Sequence, residues 1–274
     1  MFTSLFPHDP VFHHQPFMRN EVQYSLFHRI ADGGTAIMYK NEAGNILYAQ
    51  TPGYNAWLWV DEEVSVVERE RQLRELICTI KNDELPGITS DPENARAFAE
   101  IYAEVTGKVF RQKMEMSAYY CDKIVRPKGV IGECRLVNSE HQSVVAAYMV
   151  GFLKEAMGEA ADTLEQMPLA ARLVSSGNLF GWIHGGELVS IANITFRSPR
   201  HGAINSVYTP AEFRKKGYAS ALVASLCDLL LHKEKLTPIL YADTANPNSN
   251  KVYQSIGFTA SGLVHELKFE EKEE

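Results

Sequence analysis

At 274 residues the chain is longer than a typical domain, which favours two compact units, and a composition of 45% hydrophobic and 22% charged residues excludes disorder over most of it. A formal net charge of -7 speaks against a nucleic-acid partner, because neutralising phosphates calls for clustered lysine and arginine. No stretch approaches the roughly 18 apolar residues that span a bilayer, and the start (MFTSLFPHDPVFHHQPF) lacks the basic and apolar regions of a signal peptide, so a cytoplasmic protein with no membrane partner is expected.

His8, His13 and His14 stand among prolines and phenylalanines in an N-terminal arm that reads as irregular. No carboxylate sits at ligand spacing beside them, and no metal site is expected. A helix is then predicted over 18–31, strands over 35–40, 45–50 and 55–60, a long helix over 62–82, a short strand over 86–89, a helix over 91–106 and a strand over 109–124. Glu42 to Asn45 makes a hairpin turn, Ser90 with Glu93 reads as a capping box, and Gly107 ends the helix.

Val125-Arg126-Pro127-Lys128-Gly129 has proline, glycine and charge without periodicity, which places a domain boundary there, giving 1–127 and 128–274. Beyond it the pattern predicts a strand (131–137), helices (139–157 and 162–176), strands (179–184, 187–196 and 202–209), a long helix (213–232), a strand (238–243), a short helix (247–256) and a strand (258–269). Ser139 with Gln142 reads as a cap, and His184 to Glu187 as a hairpin turn. Both halves share one order of elements: two hairpin strands, a third strand, a long helix, a strand, a shorter helix and a final strand, which reads as a candidate duplication at domain scale, with two unrelated mixed domains as the alternative. Cys78, Cys121, Cys134 and Cys227 are far apart with no C-x-x-C spacing, so neither a disulfide framework nor a zinc site is signalled.

The informative segment runs from Val207 through Tyr208, Thr209, Arg214, Lys215, Lys216, Gly217, Tyr218 and Ala219 to Ser220, a strand entering a helix through a basic turn. Lysine and arginine at a helix N-terminus face the positive end of the dipole and are unfavourable unless an anion is bound. Main-chain N–H groups, a glycine at 217 and a small residue at 219 would let a phosphate approach, and charge-assisted hydrogen bonds of about 1.5–3 kcal/mol each would outweigh the misplaced charge. Further on, Asn246 reads as an N-cap, Pro247 as the first helical residue and Gly257 as the stop, with Asn246, Asn250 and Tyr253 on one helical face.

An R-x-x-G-x-A turn followed by N-x-x-S-N-x-x-Y-x-x-x-G-F resembles the GNAT superfamily of N-acetyltransferases over residues 131–269. The resemblance implies an α/β (α+β) chain of two GNAT-like domains, each a mixed, mostly antiparallel sheet flanked by helices, the first degenerate and non-catalytic. It implies acetyl-CoA as co-substrate, its pyrophosphate on the N–H groups of Lys215 through Ser220 and its pantetheine arm along Val207, Tyr208 and Thr209, with Arg214, Asn246 and Asn250 also counted as cofactor-binding. The N–H near Val207 would point at the thioester carbonyl, and Tyr253 would give a proton to the leaving thiolate, uphill by about 2 kcal/mol at ordinary pKa values. The acceptor would be a small-molecule or peptide primary amine that attacks directly. Its proton needs a base, for which Glu155 ranks ahead of Glu187, His201 and Asp243 because it lies near a helix end bordering the substrate cleft in this fold. Arg197 and Arg200 read as hairpin decoration. The rival reading is a non-catalytic acyl-CoA sensor, and Cys227 as nucleophile is a weaker one.

In the first half the equivalent turn is Val60-Asp61-Glu62-Glu63-Val64, with three carboxylates and no glycine, which opposes acetyl-CoA electrostatically.

Overall fold

The computed structural model describes residues 1–80, 84–158 and 160–272. Two compact units divide the chain: Met1–Tyr119 with Ala242–Ala245 and Ala260–Glu274, and Tyr120–Tyr241 with Asn246–Thr259.

The first unit runs β1 (Phe2–Ser4), α1 (Gln15–Asn20), α2 (Leu26–Asp32), β2 (Ile37–Asn41), β3 (Ile46–Gln50), β4 (Ala56–Val60), α3 (Val66–Ile80), β5 (Gly87–Ser90), α4 (Pro92–Thr106) and β6 (Val109–Tyr120). The arm thus contributes a strand, β1, antiparallel to β2. The helix expected over 18–31 is two short ones, and buried Glu21, 2.7 Å from His28 Nε2, ties the break together. The helix expected over 62–82 begins only at Val66, because Asp61 to Ser65 form a turn; residues 81–83, its expected end, lie outside the described residues.

Asp91, rather than Ser90, caps α4, accepting from the N–H groups of Glu93 and Asn94 at 3.1 Å each, while Ser90 donates to Leu58 O at 2.7 Å. Pro92 at the first helical position sets that boundary. Gly107 ends α4 at φ +78 as expected. The core of this unit packs α3 and α4 on the sheet through Tyr48, Leu58, Leu76, Ile77 and Phe98.

The last strand, β12 (Thr259–Glu270), pairs antiparallel with β5 and stands between β5 and β6, so it belongs to the first unit although the sequence grouped it with the second. Alternation marks a strand but does not name its partner.

The second unit holds β7 (Glu133–Leu136), α5 (Gln142–Phe152), α6 (Thr163–Ser175), β8 (Leu179–His184), β9 (Glu187–Arg197), β10 (His201–Tyr208), α7 (Tyr218–Asp228), β11 (Thr237–Asp243) and α8 (Pro247–Ile256). Its sheet order is β11-β10-β9-β8-β7, antiparallel except for the parallel pair β10 and β11. Asn138, not Ser139, supplies the cap before α5, accepting from Glu140 N–H at 3.2 Å. Both α5 and α7 widen into π turns, over Leu153–Met157 and Leu229–Glu234. Val145, Ala146 and Met149 of α5 pack with Leu179, Leu188 and Ile191, burial worth about 1.5–3 kcal/mol for each large side chain.

Candidate active site

Strands β10 and β11 pair only from His201↔Thr237 to Ala203↔Ile239 and then part, which leaves the C-terminal stretch of β10 open on that side. On its other side β10 is bulged. Asn205 faces Asn193 and Tyr208 faces Ile191, so Ser206 and Val207 share one partner position. Ser206 sits at φ +50, a conformation that costs a non-glycine residue of the order of 1 kcal/mol. The bulge takes Val207 out of regular pairing with β9 and leaves its main chain available to a ligand in the gap.

The strand end is held firmly. Ser190 Oγ lies 3.1 Å from Tyr208 O and 2.8 Å from Thr209 Oγ1. Arg214 Nε donates to Thr209 O at 2.8 Å, its Nη2 donates to Glu155 Oε2 at 2.5 Å, and its guanidinium stands 5.8 Å from the centroid of the Tyr208 ring. Tyr208 in turn donates to Glu155 Oε1 at 3.3 Å. Gly151 makes room for that phenol, since a Cβ there would lie 2.1 Å from Tyr208 Oη. Partial burial, followed by the Glu155 charge, raises the Tyr208 pKa. The Arg214 side chain is therefore engaged in a clamp on its own turn, and both oxygens of Glu155 are occupied by that clamp.

Behind Arg214, Lys215 has φ +63 and Gly217 φ +82. Left-handed residues alternating along a turn gather successive N–H groups on one side, the geometry of an anion nest. Gly217 is the N-cap of α7 and no side chain caps the helix. The opening N–H groups of Tyr218, Ala219 and Ser220 have no intrahelical acceptor by construction. A Cβ on Gly217 would also meet Val130 Cγ2 at 2.8 Å. Lys215 and Lys216 are exposed, Lys216 Nζ lying 5.7 Å from the centre of the Phe213 ring. The Tyr218 side chain is buried, its ring tilted against that of His184 with centroids 5.4 Å apart, so this residue faces a ligand with its main chain.

Helix α8 matches its expected bounds. Asn246 caps it, accepting from Ser249 N–H at 3.1 Å, Asn250 Nδ2 donates to Asn246 O at 2.7 Å, and Gly257 closes it at φ +107. Tyr253 is 9% exposed, packs edge-on against Phe258 at 5.9 Å, and burial pushes its pKa up to about 12.

The remaining base candidates are scattered. His201 is buried at the opposite end of β10 from Tyr208, and Asp243 accepts from Ala245 N–H at 2.8 Å in the turn before α8. Glu187 sits on the β8–β9 hairpin, where its charge, after burial, helps raise the Tyr148 pKa to about 12. Arg197 forms an exposed pair with Glu234 at 2.6 Å, in keeping with a decorative role. Sequence reasoning missed Tyr148, whose ring lies 5.8 Å from that of Tyr208, and Glu212, whose charge acts on both phenols. Neither stands within a recognisable spacing. Among the described residues no helix is long and apolar enough to cross a membrane, and no group of three or more metal-ligating side chains occurs.

Residues 179–266 match the FR47-like protein family. No curated protein sequence matches the chain. Among solved structures, a GNAT-family acetyltransferase from Colwellia psychrerythraea superposes with a TM-score of 0.56 at 14% identity, covering 99% of this chain and 100% of that one. A GCN5-related N-acetyltransferase from Sphaerobacter thermophilus gives 0.59 at 12% identity, covering 98% and 95%. A tandem GNAT protein from the clavulanic acid biosynthesis pathway gives 0.51 at 14%, covering 98% of each chain. The chain shares the GNAT fold of these structures.

Proposed function

We propose that the protein is an acyltransferase that moves an acetyl group from acetyl-CoA to a small-molecule or peptide primary amine by direct attack, with its working site in the second unit. The observation that carries this reading is the uncapped start of α7 behind Lys215 and Gly217, next to the gap where β10 leaves β11. The FR47-like match over the same elements supports acyl transfer.

In this reading the N–H groups from Lys215 to Ser220 hold the pyrophosphate, with Lys215 and Lys216 adding charge. The freed main chain of Val207, Tyr208 and Thr209 takes the pantetheine arm, and Asn246 and Asn250 border it. Val207 N–H stabilises the negative charge that develops on the thioester oxygen as the amine attacks. Arg214 contributes by holding the turn, and we assign Glu155 to that clamp in place of the base role expected from the sequence.

Tyr253 keeps its proton throughout the working pH range. Complete transfer from a phenol at about 12 to a thiolate of ordinary pKa would be uphill by roughly 5 kcal/mol, so we assign Tyr253 to hydrogen-bonding the departing sulfur. The proton the thiolate finally takes is the one the amine nitrogen sheds once bonded to the acyl carbon, relayed by the phenol. The attacking amine must arrive neutral, its first proton passing to water, so the rate should rise with pH up to the acceptor's own pKa.

Calorimetric titration with acetyl-CoA, followed by thiol release in the presence of a panel of amines, tests the reading. Binding heat and amine-dependent release of CoA are expected. Heat without release across the panel would make the chain an acyl-CoA sensor, and no heat at all would remove the cofactor from the account.

A further inference from the structure

The turn after β4 in the first unit carries a buried charge that the following helix does not use. Ser65 caps α3, accepting from Glu68 N–H at 3.3 Å, so the carboxylate of Asp61 is not needed there. The main chain of Asp61 is pinned on both sides: its N–H donates to Asn45 O at 2.9 Å and its carbonyl accepts from Val64 N–H at 3.0 Å. The residue is 7% exposed, and Oδ1 accepts from Glu63 N–H at 3.2 Å. Among the described residues no donor reaches Oδ2 and no cation pairs with the group. A buried carboxylate in that state is costly unless a ligand supplies the missing charge.

Asp61 lines a hollow of about 340 Å³. Among the described residues the sealed side-chain atoms that lack a partner lie elsewhere, on Asn193 and His201, so Oδ2 opens onto this hollow rather than into the core. The other charges around it are already matched. Asp91 accepts from Tyr24 Oη at 2.9 Å, from Asn94 Nδ2 at 2.6 Å and from two N–H groups of α4. Arg69, the cation of the lining, pairs with Glu93 at 2.7 Å and donates to Asn94 Oδ1 at 3.2 Å. Glu62 is exposed, with Arg19 at 3.5 Å. That leaves Asp61 as a buried anion without a counter-charge, in a hollow whose apolar wall is Val60, Val64 and Val66.

We infer that this hollow is a second ligand site, which binds an alkylammonium cation with its head on Asp61 Oδ2 and its carbon chain on the three valines. An ammonium group offers three donors and no acceptor, and charge-assisted hydrogen bonds to a carboxylate are among the strong ones. A divalent metal ion would need several oxygen ligands converging on one point. Among the described residues no group of three or more His, Cys, Asp or Glu side chains does so. Anionic ligands are opposed by the carboxylates that line the hollow. Its volume stands at the lower end of the range of about 300–1,000 Å³ for small-molecule sites, which suits a short chain. The pinned main chain holds the carboxylate in place before the ligand arrives, so little ordering is lost on binding.

The inference is independent of acyl transfer, and its test uses no activity. The full chain is titrated calorimetrically with n-pentylammonium chloride at low ionic strength, with pentanol and calcium chloride as uncharged and inorganic arms. Amide exchange locates the binding, because an amine could also enter the proposed acyl-transfer site. The decisive variant is Asp61→Asn, which keeps an oxygen for Glu63 N–H and whose fold is checked by circular dichroism. Pentylammonium should slow exchange over residues 60–69 of the parent, and Asp61→Asn should weaken that binding by about tenfold or more while leaving acetyl-CoA affinity unchanged. Without amine the variant should melt no lower than the parent, since it loses an uncompensated buried charge. Equal pentylammonium affinity in parent and variant, protection confined to the second unit, or pentanol or calcium bound as tightly as the amine would overturn the inference. So would an Asp61→Asn protein that melts several degrees lower, which would make the carboxylate a structural part of the turn.

Discussion

Helices α3 and α7 each follow the first strand of a parallel pair, and their starts are built from opposite chemistry. β4 pairs with β5 over Ala56↔Ile88 and Trp57↔Thr89, as β10 pairs with β11 over three residues. In the first unit the turn carries Asp61, Glu62 and Glu63, and Ser65 Oγ accepts from Glu68 N–H at 3.3 Å, so the helix is served by its own side chain. A cavity of about 340 Å³ opens there, lined by Asp61, Glu62, Asp91 and Glu93. In the second unit the turn carries Arg214, Lys215, Lys216 and Gly217, and the helix start is left open. The same backbone plan thus yields a carboxylate-lined hollow in one place and a basic, uncapped helix start in the other, and the two differ in the turn rather than in the fold.

The comparison breaks most completely at Gly217. Gly217→Glu puts a side chain at φ +82, drives its Cβ toward Val130 and adds the charge that the first unit carries. Losing two or more charge-assisted hydrogen bonds should weaken acetyl-CoA binding by roughly 100-fold or more, read by calorimetry with circular dichroism confirming the fold. Binding like the parent's would end the claim that this turn holds the diphosphate.

A second contrast lies in the helices that follow. α4 and α8 both open with an Asx cap and a proline, Asp91-Pro92 and Asn246-Pro247. Six residues beyond each proline stand Phe98 and Tyr253, both buried. Tyr253→Phe therefore gives the second unit the residue of the first. Acetyl-CoA affinity should stay within about twofold while kcat falls by roughly 100-fold, the size of a lost proton donor. An unchanged kcat would remove Tyr253 from the chemistry.

These contrasts also mark how far the sequence could be read. The R-x-x-G-x-A turn, the Asn246 cap and the Gly257 stop were legible because each is fixed by neighbours within a few residues. The bulge at Ser206 was not, since nothing in Asn205-Ser206-Val207-Tyr208 demands a positive φ there. The Arg214–Glu155 clamp and the pairing of β12 with β5 join positions far apart in the chain, and local periodicity carries no information about them. Ser90 and Asp91 are both good cap residues, and the proline at 92 decides between them by fixing the first helical position.

Burial of Tyr253 also predicts a pH effect. Its folded pKa of about 12 lies above the unfolded value near 10, so the neutral phenol is the form the fold keeps. The associated stability is fully present below pH 10 and is lost as the pH rises through about 12, a loss of roughly 3 kcal/mol. Denaturant titrations at pH 9 and above should show the parent losing stability more steeply than Tyr253→Phe, whose phenyl ring has no proton to release. Parallel curves would mean that the phenol reaches water in the folded state.

The smallest effects separate the two turns most finely. Glu155→Gln releases an exposed pair, whose side chains are 46% and 40% accessible, so the direct loss of stability should be under about 1 kcal/mol. If the carboxylate only anchors Arg214, the variant should weaken acetyl-CoA binding severalfold and leave the acid limb of kcat/KM where the acceptor amine puts it. A lowered, pH-independent kcat with unchanged cofactor affinity would restore Glu155 as the base. Ser65→Ala is the matching change in the first unit. Removing that cap should cost about 1 kcal/mol, seen as a fall of a few degrees in Tm, with acetyl-CoA affinity untouched. No equivalent cap can be deleted at α7, which has no side-chain cap, and on the proposed assignment saturating acetyl-CoA should raise Tm in the parent and in Ser65→Ala alike. A Ser65→Ala protein that lost acetyl-CoA affinity would place the cofactor in the first unit and reverse the assignment of the two turns.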